Sequence, residues 1–159
     1  MPYKVRFFLL FLSLIVFFGL SLRAETELVG PITREEILGN LPEWNAVVAS
    51  YQPNPEVISK LQGVSGIVRI EVILGTWCPD SKEHVSAFFK ILDMTDNPFF
   101  QVEYIGIPED KDARAPYVEG KNIDKVPTFI VFVDGQEKGR IVEHPQDSLE
   151  RDLLQILLR

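Results

Sequence analysis

The chain has 159 residues, with 23 acidic and 16 basic side chains, one cysteine and 46% apolar residues, and a length that suits one domain. A net charge of −7 excludes a nucleic-acid binder driven by general basicity. A single cysteine excludes an intramolecular disulfide and a four-cysteine metal site, and two histidines, His84 and His144, exclude an all-histidine zinc site.

Residues 1–24 carry Lys4, Arg6 and Arg23 and no acid, and from Phe7 to Leu20 the chain is apolar apart from Ser13 and Gly19. A basic head before a short apolar run is the layout of a secretory signal peptide. The run falls short of the roughly 20 residues that a membrane-spanning helix needs. Cleavage fits after Ser21 or after Ala24; the alternative is an uncleaved N-terminal anchor. The expected location is extracytoplasmic, periplasmic or secreted, with membrane contact only if the segment stays attached. Without residues 1–24, the chain keeps 13 basic and 23 acidic side chains, a net charge of −10.

Residues 25–53 read as a helical extension. Thr33 and Glu36 form a capping-box pattern ahead of Ile37 and Leu38. A second helix is predicted from Pro42, with Trp44, Val47, Val48 and Tyr51 on one face. Residues 54–159 then form the main domain. Asn54-Pro55 is an N-cap followed by a first-turn proline, leading into Val57, Ile58 and Leu61.

Ile67 to Leu74 is β-branched and apolar apart from Arg69 and Glu71, so a strand is predicted there. After a turn over residues 75–81 comes a helix whose Val85, Phe88, Phe89 and Leu92 share one face. Phe99 to Ile107 is a second strand, parallel to the first. Residues 108–124 are acidic and irregular, with a short helix near Tyr117. Thr128 to Val133 is a third strand, Asp134-Gly135 a hairpin turn, and Glu137 to Glu143 an antiparallel fourth. Asp147 and Glu150 are expected to cap a last helix bearing Leu149, Leu153, Ile156 and Leu157.

Cys78 falls where a strand ends and a helix begins. Unpaired N–H groups and the helix dipole favour an anion there, so a thiolate is stabilised. Pro79 suits the first helical turn, the Ser81 hydroxyl is close enough to donate to the sulfur, and Trp77 shields one side. Asp80, a negative charge within one turn, tunes the thiol in the opposite sense. On these residues alone two readings stand: a nucleophile at an exposed helix start, or a small buried hydrophobe. His84 and His144 read as surface residues without a ligand cluster, and no metal is assigned.

Trp77-Cys78-Pro79-Asp80-Ser81 resembles the W-C-x-x-C active-site turn of the thioredoxin family, with serine in place of the second cysteine. Val126-Pro127-Thr128-Phe129 resembles that family's cis-proline loop, and residues 132–140 the hairpin that follows it. The resemblance spans residues 54–158. It implies an α/β fold, a thioredoxin-like three-layer α/β/α sandwich with a central mixed sheet. Cys78 is then the catalytic nucleophile beside Ser81, and Trp77, Pro79, Val126, Pro127 and Thr128 contact substrate. The implied activity is thiol-disulfide exchange through one cysteine. The implied partners are protein thiols or disulfides and an external thiol reductant, with no cofactor and no nucleic acid.

Two departures from the family pattern qualify this. Ser81 cannot resolve a mixed disulfide. The aspartate that dithiol thioredoxins bury six residues before the first cysteine is Val72 here, and Glu71 is predicted to face the other side of the strand. The alternative function is therefore a redox-inactive module that binds partners in the groove beside the proline.

Overall fold

A computed structural model describes residues 27–159 of the chain. The predicted signal segment lies outside the described residues. Among those residues, no helix is long and apolar enough to cross a membrane.

Five strands form one mixed sheet: β1 (Gly30–Ile32), β2 (Val68–Leu74), β3 (Phe100–Gly106), β4 (Thr128–Val133) and β5 (Gln136–Val142), in the order β1-β3-β2-β4-β5. β2 and β3 are parallel, with Val72 opposite Tyr104, and all other pairings are antiparallel. Parallel neighbours need a long crossover, which α4 (Pro79–Thr95) supplies. β4 and β5 need only Asp134-Gly135, whose φ values of 50° and 77° match the turn type that joins twisted strands tightly.

Alternation along β2 divides the interior in two. Val68, Ile70, Val72 and Leu74 join the larger core, under α1 (Arg34–Asn40), α2 (Trp44–Ser50), α3 (Pro55–Gln62), α4 and α6 (Leu149–Leu157). Ile73 faces the other way, into a smaller cluster with Cys78, Ile107 and Val126, covered by Tyr117 and Val118 of α5 (Ala115–Val118) and by Ile123. Among the described residues the three layers are thus unequal: α1, α2, α3, α4 and α6 cover one face, and α5 with irregular chain covers the other.

The local signals act as expected at most joints. Thr33 and Glu36 close a reciprocal capping box, and the Asn54 side chain accepts from the N–H groups of Glu56 and Val57. The α2 helix starts at Trp44 instead of Pro42, and Trp44 is buried against the core. Arg34 makes a two-pronged ion pair with Asp93, at 2.5 and 2.7 Å, which ties α1 to α4.

Two joints differ. The extension read as helical contains β1, which pairs with β3 at the sheet edge. Three residues carry no measurable periodicity, and only the partner edge makes them a strand. The last helix is not capped by Asp147 and Glu150. Its N-cap is Ser148, Asp147 pairs with Arg151, and Glu150 turns inward to 3% exposure. There it accepts from the Tyr51 hydroxyl at 2.7 Å and the Asn54 N–H at 3.1 Å, so it joins α6 to the α2–α3 connection.

The edge strand leads to a test. A Cβ on Gly106 would lie 2.0 Å from the Leu28 carbonyl oxygen, a backbone atom with little freedom to retreat. Gly106→Ala is expected to detach the β1 segment and cost about 1–3 kcal/mol. Faster hydrogen exchange at Ile32 and its neighbours, with the larger core unaffected, is the signature to measure.

Candidate active site

Gly75, at the carboxyl end of β2, approaches the Trp77 indole so closely that a Cβ would lie 2.5 Å from the ring. The turn then delivers Cys78 as the N-cap of α4. Its N–H donates to the Gly75 carbonyl at 3.0 Å, and its own carbonyl accepts from Lys82 at 3.1 Å. Pro79 occupies the first helical position, where a missing N–H costs nothing.

The thiol sits differently from the exposed helix start expected of it. Cys78 is 8% exposed and packs among Ile73, Ile107 and Val126. Its S–H donates to the Val126 carbonyl at 3.5 Å. That carbonyl belongs to the Val126–Pro127 peptide, which is cis. Val126 and Pro127 are buried, and the Thr128 hydroxyl donates to the Lys125 carbonyl at 2.7 Å, so Thr128 holds the loop instead of facing solvent.

Ser81 is fully buried, and its oxygen accepts from the Gly75 N–H at 3.2 Å. The sulfur's hydrogen bond runs to Val126 and not to Ser81, whose oxygen is held under the β2 terminus by the start of α4. On the face of β2 that also carries Ile73, Glu71 is 6% exposed between Arg69 and Lys121. Burial pushes its carboxyl up, but hydrogen bonds from Lys121 and Arg69 outweigh that and hold it below the usual carboxylate range. Glu71 therefore ties the chain near Lys121 to the sheet.

Among the described residues, cavities open to Cys78 from more than one side. A cavity of about 360 Å³ is lined by Trp77, Cys78 and Val126 with a rim of both charges, including Asp80, Lys111, Arg114, Lys125 and Glu143. A second, of about 290 Å³, runs past Thr76, Pro79 and Lys82 to Trp44. Both are of the size that holds a small ligand or side chain. The Trp77 indole N–H donates to the Ile107 carbonyl at 3.0 Å, and the Arg114 guanidinium lies 5.1 Å from the ring centre. Arg114 is fixed by the carbonyls of Pro108 and Glu109 at 2.8 and 2.7 Å. The sequence reading missed Arg114, because nothing local distinguishes it within an irregular acidic stretch.

The histidines also depart from expectation. His84 on α4 and His144 after β5 meet with ring nitrogens 3.1 Å apart, and His144 Nε2 lies 4.0 Å from Asp80. The β5–α6 connection brings this partner to His84. Burial, more than the opposing pull of Glu83, lowers the affinity of His84 for a proton.

A mixed sheet with a cysteine at the start of the crossover helix, facing the carbonyl that precedes a cis-proline, defines a thioredoxin-like α/β protein. A family model described as "Thioredoxin" matches residues 34–152. The chain belongs to the thioredoxin family. Among solved structures, it is similar to a protein of unknown function from Pseudomonas aeruginosa, with TM-score 0.59 and 18% identity, covering 82% of this chain and 91% of that one. It is also similar to an HIV epitope-scaffold, with TM-score 0.55 and 21% identity, covering 80% and 83%. No curated protein matches it.

Proposed function

We propose that this protein is an exported thiol-disulfide exchange protein that works through the single nucleophile Cys78. The observation that carries this reading is the sulfur at the α4 N-terminus, 3.5 Å from the Val126 carbonyl and open to a cavity of about 360 Å³. Backbone N–H groups at a helix start favour a thiolate. After losing its proton to water, the sulfur attacks one sulfur of a partner disulfide. The new Cys78–partner bond forms as the old S–S bond breaks, and the leaving thiolate takes up a proton. Ser81 offers no second thiol, so release requires an external thiol to attack the mixed disulfide. Protein thiols or disulfides presented as extended segments beside Val126–Pro127 are the partners. Export rests on the basic and apolar pattern of residues 1–24.

A second reading, a binding module without redox turnover, is favoured by the 8% exposure of Cys78. Acid-quenched trapping separates the two. Under the exchange reading, partner adducts accumulate on the native protein and vanish in Cys78→Ala. Capture of the same partners by Cys78→Ala, with no adduct on the native protein, makes the groove the functional surface.

A further inference from the structure

We propose that Asp80, Glu143 and His144 form a binding site for a borderline divalent transition-metal ion of the zinc class, at the rim of the Cys78 cavity. One donor atom from each of the three lies within 4.8 Å of the other two. They come from separate parts of the chain: Asp80 from the first turn of α4, Glu143 and His144 from the connection between β5 and α6. Ligand bonds to zinc are about 2.0–2.2 Å long, so donor atoms around it stand about 3–3.5 Å apart. Small side-chain rotations close the remaining gap.

The backbone turns these groups together. Glu143 has φ 61°, in the left-handed region that a side-chain-bearing residue seldom adopts. Its N–H donates to the Pro127 carbonyl at 2.7 Å, which anchors the turn to the proline loop. The imidazole is held from behind. With His144 Nε2 facing Asp80 at 4.0 Å, Nδ1 lies 3.1 Å from His84 Nε2. If Nδ1 carries the proton and donates it to His84, the Nε2 lone pair faces the two carboxylates. This is the outer-shell arrangement that fixes the tautomer of a metal-bound histidine.

Two carboxylates with one imidazole suit zinc, cobalt or nickel better than magnesium or calcium, which take oxygen donors alone. Three protein ligands leave positions for water or a substrate group. The sulfur is not a member of the set, since its bond runs to Val126. One cation competes: Lys125 pairs with Glu143, but the pair is exposed and opens cheaply.

Titration of the purified protein with Zn²⁺ by calorimetry, and with Co²⁺ by visible absorption, tests the site. One ion per chain is expected to bind with micromolar affinity. Asp80→Asn, Glu143→Gln and His144→Ala each lower the affinity by at least about tenfold, and His84→Ala lowers it by about 10–100-fold through lost orientation. Lys125→Gln is expected to tighten binding several-fold, a gain that no misfolded variant produces. Cys78→Ala leaves the affinity unchanged. Binding only at millimolar metal, indifference to the Asp80, Glu143 and His144 substitutions, or loss of binding in Cys78→Ala each overturns the proposal.

Discussion

Ser81→Cys is expected to shorten the lifetime of mixed disulfides at Cys78 by about tenfold or more, and to confer dithiol-dependent reduction of a model disulfide. Residue 81 sits one helical turn from Cys78 in α4, so a thiol there attacks the adduct intramolecularly, at high effective concentration. The partner leaves as a thiol, and the protein is left with a disulfide between Cys78 and the introduced sulfur, for the external dithiol to reduce. The structure adds a cost. The native hydroxyl accepts from the Gly75 N–H, and a thiol is a weaker acceptor, so the variant loses about 1 kcal/mol of stability. Val72, where dithiol members bury an acid, leaves no carboxyl on that strand face to move the proton. Turnover therefore stays slower than the release step. A time course of adduct decay on non-reducing gels measures the effect; adducts equally long-lived in the variant refute the assigned geometry.

The second large effect concerns stability. Glu150→Ala is expected to destabilise the protein by about 3 kcal/mol, since it strands two donors, the Tyr51 hydroxyl and the Asn54 N–H, at a buried carboxylate. Burial pushes the Glu150 carboxyl up, but the Tyr51 hydroxyl and the Asn54 N–H outweigh it, and the group titrates below the usual range. The sign follows. A carboxylate held lower in the native state than its unfolded value of about 4.3 contributes fully above that pH. The contribution fades as pH falls through the lower native value. Glu71, lowered by Lys121 and Arg69, behaves alike. Chemical denaturation at neutral pH and near pH 3 is the measurement: the gap between native protein and Glu150→Ala narrows in acid. An equal gap at both values refutes the pairing.

The limits of local information show at particular residues. The cap at Asn54, the box at Thr33 and Glu36, the stripe of α4 and the turn at Asp134-Gly135 involve neighbours within one or two turns. Their physics is complete in a short window, and the sequence determined them. The same holds for the placing of Cys78 at a helix start, because a strand pattern ends and a helical one begins beside it. The inward turn of Glu150, whose partner Tyr51 is 99 residues away, has no such window. Its spacing from Asp147 mimics a cap, and burial against α2 decided otherwise. The meeting of His84 with His144 spans 60 residues and depends on the β5–α6 connection folding back over α4. The low exposure of the sulfur depends likewise on Val126 arriving from the loop that precedes β4. Hydrophobic periodicity and capping specify which elements form and in what order. Which polar side chains converge is decided only when the sheet brings distant segments within hydrogen-bonding reach, because those contacts act over ångströms in space and leave no pattern along the chain.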